Sequence, residues 1–479
     1  MPDGIYITKT RCRNGAIGVV AMAETTFLFK EVNYAIEQNI GRPRTLLEIG
    51  TDVGQSSQRA RSRGTRTVGL EMIKDSLPRA KDLMDEAHFA ELESDAALEP
   101  VKGKRFDLVV LEGTLDRVRD PEALLRRVTP LLEDGGHVLA SVANRKNGSA
   151  DDSLTAAVRR IEAAGLEVMR VDVNPYIIRA AAMRLGWYGD PQHAADLKAT
   201  HTMPGRFTYG HVLRPIERLI AKNAPGALAA EHVIVARLPP EPGPLTLTIG
   251  MLTLNEKESV ERMIDDIRRY APDAKILLVD SSSDETPELA RAKGARVVRQ
   301  LPPRGHGPAM ERLMYEAAKE SEALIYLDCD FTYPAEMIPK IRAMLESGVD
   351  LVNASRTSTY PKAMPVPNFM ANRFFAATAQ LVHGVPTTDV HSGMRGYRLS
   401  MVRAFDFDGE GDAIPLDTLI LPARSNYKVV EFPIDYNERV GFSKLAKLRG
   451  TVWTFIRIAG AIGHGDRVRR GRRYSVQAR

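Results

Sequence analysis

Cysteine is scarce in this sequence, with only Cys12 and Cys329 among 479 residues. The two lie far apart and lack the close spacing of metal-binding cysteine pairs. This pattern excludes a disulfide-stapled scaffold and a cysteine-based zinc site. It is typical of proteins from a reducing compartment, and we expect the cytoplasm.

Long apolar segments are equally absent. The most apolar stretch, residues 451–462, contains Arg457 and is shorter than the roughly 18–20 residues that a membrane-spanning helix needs. The first residues show no basic region followed by an apolar stretch, so no signal peptide is predicted. With 44% hydrophobic and 27% charged residues, the composition is that of a soluble globular protein, and 479 residues are enough for two or three domains.

Charge is nearly balanced, at +5, but residues 467–473 contain five arginines. One interpretation of this basic tail is a solvated chain end; the other is a contact with a membrane surface or another anionic partner. We do not expect nucleic acid among the partners. The sequence gives no indication of the oligomeric state.

An apolar run that stops on two acids dominates the C-terminal half. Asp328 and Asp330 follow residues 324–327 at spacing i, i+2. In an extended chain both side chains lie on one side, and the carboxyl end of a buried strand is where open α/β sheets bind ligands. Because Mg²⁺ is held by one or two carboxylates together with substrate phosphates, the pair predicts a site for Mg²⁺ or Mn²⁺.

A glycine-containing turn opens the N-terminal half. An apolar run from Thr45 leads into Gly50 and Gly54, and a helix is predicted after them. Glycines here let the backbone turn tightly and approach a ligand. The next predicted strand ends on Glu71, where an acid can accept hydrogen bonds from ribose hydroxyls.

This order of elements resembles a class I S-adenosylmethionine-dependent methyltransferase over residues 44–174, with a weaker likeness to residue 237. The motifs that carry the resemblance are Glu48-x-Gly50-x-x-x-Gly54, Glu71, Ser94-Asp95-Ala96, Phe106-Asp107, Arg119-Asp120-Pro121 and Asp134-Gly135-Gly136. The resemblance implies a Rossmann-like domain that binds S-adenosylmethionine. Gly50 and Gly54 would then lie under the methionine moiety, Glu71 at the ribose and Asp95 near the adenine, with Glu48 in the same cofactor site.

Two positions depart from that family. Asp52 stands where the family has the middle glycine of its turn, and Arg117 where histidine is common. Two interpretations stay open: an active methyltransferase, and a Rossmann-like domain without activity. If methyl transfer occurs, His193 or His201 is a candidate base for an acceptor hydroxyl.

Four prolines in residues 238–244 mark the clearest boundary in the chain. Such a segment favours an extended spacer and excludes a helix. Beyond it, strands predicted at 245–249, 275–279 and 295–298 alternate with helices. The first of these helices is amphipathic, with apolar residues at 260, 263, 264 and 267.

Residues 245–450 resemble an inverting family 2 glycosyltransferase, of the kind that includes dolichyl-phosphate sugar synthases. The matching motifs are Thr253-Leu254-Asn255-Glu256, Asp280, Asp328-Cys329-Asp330, Asp389-Val-His-Ser-Gly-Met-Arg395, Asp417, Val430–Tyr436 and Arg439-x-Gly441-x-Ser443-Lys444. The resemblance implies the GT-A fold of nucleotide-diphospho-sugar transferases. It also implies a nucleotide contact at residues 254–256 and base recognition by Asp280.

The same resemblance implies roles for the charged residues. Asp330 would ligate the metal directly, while Asp328 would hold the donor sugar or ribose and share the metal. The diphosphate leaving group would be bound by basic side chains, namely Arg439, Lys444 and Arg395. An acceptor hydroxyl must lose its proton as it attacks the anomeric carbon; we expect Asp417 to accept it, with Asp389 as the alternative.

We therefore expect an α/β protein with an extension (1–43), a methyltransferase-like domain (44–237), a linker (238–244), a glycosyltransferase domain (245–450) and an amphipathic segment with a basic tail (451–479). The leading hypothesis is a metal-dependent glycosyltransferase that also transfers methyl groups. The alternative makes the first domain an inactive docking or regulatory module. A third hypothesis treats the basic tail and the segment around Trp453, Phe455 and Ile456 as an anchor to a membrane or a nucleic acid. The donor would be a nucleotide-diphospho-sugar, and the acceptor a small molecule, a saccharide or a lipid-linked molecule.

Overall fold

The computed structural model describes residues 36, 39–51, 53, 54, 56–143, 153–175, 229–361, 363–407, 409, 414–438, 447–460 and 474–476. Within these residues the chain forms two sheets flanked by helices. Most of the predicted extension (1–43) and the arginines of the basic tail lie outside the described residues.

The first sheet has seven strands in the order β3-β2-β1-β4-β5-β7-β6. β1 to β5 are parallel neighbours, and β7 is antiparallel to both β5 and β6. The elements are β1 (Thr45–Gly50), α1 (Gln58–Ser62), β2 (Arg66–Glu71), α2 (Leu77–Leu83), β3 (Glu86–Phe89), β4 (Phe106–Leu111), α3 (Pro121–Val128), β5 (Leu132–Ala143), α4 (Ser153–Ala163), β6 (Glu167–Pro175) and β7 (Ala229–Arg237). This is the Rossmann-like domain that the sequence predicts.

The second sheet has eight strands in the order β10-β9-β8-β11-β13-β12-β14-β15. Only β13 runs antiparallel to its neighbours. The elements are β8 (Leu247–Thr253), α5 (Val260–Tyr270), β9 (Lys275–Asp280), α6 (Thr286–Ala292), β10 (Arg296–Arg299), α7 (His306–Ala317), β11 (Ala323–Leu327), α8 (Ile338–Glu346), β12 (Leu351–Ser355), α9 (Val366–His383), β13 (Met394–Arg398), α10 (Leu399–Arg403), α11 (Ile414–Arg424), β14 (Val429–Pro433), α12 (Lys447–Gly460) and β15 (Tyr474–Val476).

Local sequence explains these elements well. The four apolar residues that predict the amphipathic α5 are all buried, and they pack on the inner face of the second sheet. β11 is buried at every position, because strands pair with both of its edges and its side chains alternate between the hydrophobic cores on the two faces of the sheet. β15 is different: it adds an edge strand beside β14, in the segment that the sequence analysis treats as tail.

The proline-rich segment carries no helix or strand from residue 238 to 246. It nevertheless bonds to both halves, because Leu238 N–H donates to the Gly136 carbonyl (2.8 Å) and Gly243 N–H to the Glu346 carbonyl (2.9 Å). The segment is therefore held against both sheets along its length.

The two sheets meet at their amino edges, where the parallel strands begin. On the first sheet, Asp107 lies at the start of β4, and Arg403 at the end of α10 approaches its carboxylate at 3.5 Å. Arg237 pairs with Asp350, just before β12, at 2.5 Å. The imidazole of His137 lies 2.7 Å from the hydroxyl of Tyr427, just before β14.

A second group of ion pairs surrounds Asp406, which follows α10. Its carboxylate accepts from Arg63 at 2.6 Å, from Arg42 at 3.4 Å and from Arg59. Met169 of β6 also belongs to the hydrophobic core of the second sheet. Apolar packing and buried charges thus join the two halves.

Candidate functional site

Two acids at the end of β11 form the centre of the first candidate site. Asp328 accepts a hydrogen bond of 2.5 Å from the hydroxyl of Tyr326, a residue of the strand itself. Asp330 is 4% exposed, and its Oδ1 accepts from the backbone N–H (3.1 Å) and the hydroxyl (2.5 Å) of Thr332. These bonds fix the direction of both carboxylates at the carboxyl edge of the sheet.

Gly393 makes room for this pair. A Cβ at this position would lie 2.5 Å from Oδ2 of Asp328 and 3.0 Å from the ring of Tyr333. The N–H of Gly393 donates to the Tyr333 hydroxyl at 2.6 Å. The loop before β13 therefore approaches the acids more closely than any larger residue would allow.

The loops after β8 and β9 bond to each other beside the acids. Asn255 has a left-handed backbone (φ 54°), and its N–H donates to the hydroxyl of Ser282 at 2.7 Å. Asp280 is fully buried and accepts from the hydroxyls of Thr253 (2.7 Å) and Ser282 (2.6 Å), and from Arg299. The predicted base-recognising carboxylate thus also holds the loop that carries Asn255.

Leu254 and Glu256 flank Asn255 in the same loop. Leu254 is 37% exposed, and the N–H of Glu256 donates to the hydroxyl of Thr286 at 2.9 Å. The sheet therefore brings residues 254–256 and Asp280 to the edge where Asp328 and Asp330 lie. Their contact with a nucleotide stays a prediction.

Asp389 forms a buried bidentate ion pair with Arg356, with distances of 2.7 Å and 2.9 Å. Burial alone would raise the pKa of Asp389, but the charge and hydrogen bonds of Arg356 outweigh burial and lower this pKa. The same pairing holds the pKa of Arg356 well above its ordinary value. A carboxylate in such a pair is a poor proton acceptor. Because Asp417 also pairs with a buried arginine, Arg457, the choice between the two acids as the base stays a prediction.

Asp417 lies in the first turn of α11 and is 7% exposed. Its Oδ2 accepts from Arg457 of α12 at 2.6 Å. A second contact joins the same helix to the site, because Nε2 of His391 lies 3.0 Å from the hydroxyl of Thr454. Burial lowers the pKa of His391 to about 4, so this imidazole is neutral at pH 7. α12 therefore forms one wall of the site.

Arg395 is 1% exposed and bonds to protein through all three guanidinium nitrogens. Its acceptors are Asn353 Oδ1 (2.8 Å), the carbonyl of Val390 (2.9 Å), the hydroxyl of Thr418 (3.2 Å) and the carbonyl of Pro415. These bonds tie the start of α11 to β12 and β13. The predicted diphosphate contact of Arg395 gains no support from this arrangement, which instead positions the helix of Asp417.

The acid pair suits a hard divalent cation. Carboxylate oxygens are the preferred ligands of Mg²⁺ and Mn²⁺, and two of them are enough when a substrate diphosphate supplies the others. Across the part of the chain that the structure describes, no cluster of three or more His, Cys, Asp or Glu side chains forms a complete metal site. A cation at Asp328 and Asp330 would therefore depend on substrate oxygens.

The second candidate site lies at the carboxyl edge of the first sheet, around three buried acids. Glu71 accepts the N–H of Val53 at Oε2 (3.1 Å) and that of Ile73 at Oε1 (2.7 Å). Glu48 accepts from the hydroxyl of Ser57 at 2.6 Å, and burial raises its pKa to about 7. The third acid, Glu112, accepts from the hydroxyl of Ser56 in the same turn.

The turn after β1 packs closely on the rest of the domain. Gly54 has φ 97°, and a Cβ there would lie 2.6 Å from that of Leu83, so a glycine is required on both grounds. Gly50 ends β1 at the same edge. Arg117, at the position where the family commonly has histidine, donates to the hydroxyl of Thr51 in this turn.

Several predicted residues lie outside the described part of the chain. These are Asp52 in the turn, the candidate bases His193 and His201, and the diphosphate ligands Arg439 and Lys444. Asp95 begins a short 3₁₀ helix, Asp95–Val101, at the edge where Glu71 lies. The roles of all these residues stay predictions.

Four residues that organise the first site are not among those predicted from the sequence. They are Tyr326, Tyr333, Arg356 and Arg457, all of which contact one of the predicted carboxylates or the loop beside it. A tyrosine two residues before Asp328 is a signal that was available. The sequence gives no comparable signal for Arg356 and Arg457, because each pairs with an acid 33 or 40 residues away.

An exposed apolar face borders the same site. It is formed by α9 and α12, whose aromatic rings meet, with 6.3 Å between the centroids of Phe374 and Phe455. Its exposed members are Val366, Met370, Phe374, Leu381, Val382, Val452, Phe455 and Ile456. Neither helix contains an acidic residue. In the described residues, no helix combines the length and hydropathy that crossing a membrane requires.

The two strand-end acids lie at the carboxyl edge of an α/β sheet, which is where such sheets bind ligands. Comparison with known proteins agrees: the model of glycosyl transferase family 2 matches residues 248–405, and a methyltransferase domain model matches residues 22–188. A dolichyl-phosphate hexose transferase of Haloferax volcanii is 35% identical over 205 residues, which are 43% of this chain and 88% of that protein. The chain belongs to glycosyltransferase family 2 and carries an N-terminal methyltransferase domain.

Other similar proteins each cover less than half of the chain. An undecaprenyl-phosphate mannosyltransferase of Micrococcus luteus is 27% identical over 207 residues, 40% of this chain and 85% of that one. Among solved structures, glucosyl-3-phosphoglycerate synthase of Mycobacterium tuberculosis with Mn²⁺, uridine diphosphate and phosphoglyceric acid covers 45% of this chain and 79% of its own, at 19% identity and a TM-score of 0.35. The structure of an S-adenosylmethionine-dependent methyltransferase of Mesorhizobium loti covers 43% of this chain and 95% of its own, at 16% identity and a TM-score of 0.28.

Proposed function

We propose that this chain transfers a sugar from a nucleoside-diphosphate donor to a lipid-linked acceptor at a membrane surface, with inversion at the anomeric carbon. The observation that carries the proposal is one sheet edge that combines a nucleotide-site loop, a fixed acid pair and a buried Asp417 beside an exposed apolar face. The named relatives act on dolichyl and undecaprenyl phosphates, which are lipid-linked.

In this proposal Asp328 and Asp330 hold Mg²⁺ or Mn²⁺ together with the donor diphosphate. The cation would neutralise charge on the departing nucleoside diphosphate. Asn255 and Asp280 position the nucleotide, and Tyr326 and Thr332 keep the two acids aligned. Arg439 and Lys444 remain the proposed diphosphate ligands.

Two kinds of nucleophile fit the acceptor. An acceptor hydroxyl requires a base, and Asp417 Oδ would take its proton as the new C–O bond forms. A lipid phosphate is already anionic at pH 7 and requires none. The variant Asp417→Asn distinguishes the two kinds of acceptor, because it would abolish sugar transfer to a hydroxyl and leave sugar transfer to a phosphate intact.

The assignment of the acid pair is tested with Asp330→Ala and a matched surface control, Asp265→Ala, whose acid is exposed on α5. We expect Asp330→Ala to lose transfer of radiolabelled sugar and Mn²⁺-dependent binding of the nucleoside diphosphate. Adenosylhomocysteine affinity should stay unchanged in both variants. Full transfer by Asp330→Ala would refute the assignment of Asp330.

For the first domain we propose S-adenosylmethionine binding and methyl transfer, so that the chain is bifunctional. The support is the buried acid at the end of β2 and the tight glycine turn beside it. Both Glu71 oxygens accept backbone N–H groups, from Val53 and from Ile73, and these bonds fix the carboxylate at the end of β2.

The competing function for this domain is a docking or regulatory module without methyl transfer. Arg117 favours it, because this side chain bonds to Thr51 in the turn that would approach the cofactor. Thermal shifts with adenosylhomocysteine distinguish the two. Binding to the folded state stabilises it by about 2.7 kcal/mol at a ligand concentration of 100 Kd, and the absence of any shift would support the module.

A further inference from the structure

The two candidate sites lie at opposite ends of the molecule. Each site occupies the carboxyl edge of its sheet, marked by Glu71 in the first and Asp328 in the second. The contacts between the sheets fall at the other edge of each, where the strands begin. Asp107 and His137 belong to that amino edge in the first sheet, and their partners Arg403 and Tyr427 in the second.

The amino-edge contact is extensive and resists separation. Arg237 and Asp350 are 3% and 0% exposed, and their ion pair is 2.5 Å long. The guanidinium of Arg237 also lies 5.0 Å from the centre of the Tyr427 ring. Separating the sheets would break both this ion pair and the contact between Arg237 and the Tyr427 ring. The domains therefore cannot swing to bring the two sites together without breaking this contact.

Strand lengths give the scale of the separation. β2, which ends on Glu71, has six residues, and β11, which leads into Asp328, has five. Because a strand rises about 3.3 Å per residue, two such strands end to end place the sites on the order of 40 Å apart. A sugar bound at Asp328 is then out of reach of a methyl group held at Glu71.

We propose that the methyltransferase edge acts on a water-soluble substrate, on the side of the molecule that faces away from the lipid surface. This inference rests on the proposed function, in which the apolar face of α9 and α12 lies on the membrane beside the glycosyltransferase edge. The methyl acceptor is a soluble molecule, such as a nucleotide sugar before transfer, and the membrane-held lipid product is excluded. The sulfonium of S-adenosylmethionine gives its methyl to an acceptor hydroxyl, whose proton leaves to a base or to water, and adenosylhomocysteine is released.

Spin labels test the geometry in the full-length protein. Cys12→Ser removes one native thiol, and Cys329 is buried. Lys74→Cys marks the methyltransferase edge, three residues after Glu71, and Ile456→Cys marks the exposed face of α12. Pulsed electron paramagnetic resonance should give a spin–spin distance on the order of 40 Å or more. A main distance below about 25 Å would overturn the opposed arrangement, since two strand lengths do not fit in it.

Vesicles of phosphatidylcholine and phosphatidylglycerol test which of the two labelled sides of the protein contacts a lipid surface. The label at position 456 should lose collisions with a water-soluble nickel complex and gain collisions with oxygen, while the label at 74 stays unchanged. Burial of the label at 74 would refute the proposal. If neither label responds, the lipid-surface part of the proposed function fails and the assignment of sides fails with it, whereas the distance measurement still decides whether the edges are opposed.

A methyl-transfer assay gives a second test of the proposal. The protein is incubated with methyl-labelled S-adenosylmethionine, soluble nucleoside-diphosphate sugars and lipid-linked sugar in vesicles. Label recovered in the aqueous sugar fraction supports the proposal. Label recovered in the lipid fraction from vesicles that already carry the sugar would overturn it.

Discussion

Acidification should weaken the contact between the two domains through His137. This imidazole is buried at the amino edge, and burial together with the charge of Arg237 lowers its pKa from 6.5 to about 3. The folded protein therefore keeps His137 neutral at pH 5, while the unfolded chain takes up a proton below pH 6.5. Stability from this group is complete above pH 6.5 and is lost as the pH falls towards 3.

The size of the effect follows from the two pKa values. Each pH unit below 6.5 costs the folded state about 1.4 kcal/mol, so the loss at pH 5 is about 2 kcal/mol. Glu48 acts in the opposite direction, because its pKa is raised to about 7 and the folded state holds its proton more tightly. The pH dependence of the wild type alone would therefore hide the contribution of His137.

His137→Gln isolates that contribution. A glutamine amide keeps a hydrogen bond to the hydroxyl of Tyr427 and does not titrate. Urea unfolding at pH 7 and pH 5 should show the wild type losing about 2 kcal/mol relative to the variant, and a histidine NMR titration should show no protonation of His137 down to pH 5. An equal difference between the two proteins at both pH values would contradict the pKa shift of His137.

Three further variants follow from the structure. Gly393→Ala should push Asp328 aside, because the added Cβ would lie 2.5 Å from its Oδ2, and should weaken Mn²⁺-dependent binding of the donor nucleotide at least about tenfold, measured by calorimetry. Asp107→Asn should cost about 3–5 kcal/mol in urea unfolding, because Arg403 keeps a buried charge with a weaker partner. Asp417→Asn should lower transfer to a hydroxyl acceptor about 10²–10⁴-fold at unchanged donor affinity; an equal loss in donor binding would assign Asp417 to the donor site.

The strands and the acid pair were accessible to sequence reasoning because their signals are local. β11 is an apolar run that ends on two acids, and the structure places both at a carboxyl edge. α5 likewise has its four apolar residues on one buried face. In each case the period of the pattern and the position of the last residue carry the information.

The partners of these residues were not accessible, because they depend on tertiary contacts between distant segments. Arg395 shows the difficulty: the family resemblance implies a contact with the donor diphosphate, yet the folded chain surrounds this side chain with four protein acceptors. The contact between the domains could not be predicted from the sequence either. Nothing in the local sequence around Asp406 indicates that three arginines from the first domain converge on it.

Helix α12 takes part both in the proposed sugar-transfer site and in the proposed contact with a lipid surface. Thr454 and Arg457 face inward, onto His391 and Asp417, while Val452, Phe455 and Ile456 are exposed on the other side. The segment that the sequence suggests as an anchor is therefore also a wall of the candidate site. A lipid surface in contact with its apolar side would lie one helix diameter, about 10 Å, from the carboxylate of Asp417. In this arrangement an acceptor held in the membrane reaches Asp417 with only its head group leaving the lipid, and a soluble acceptor gains no such advantage.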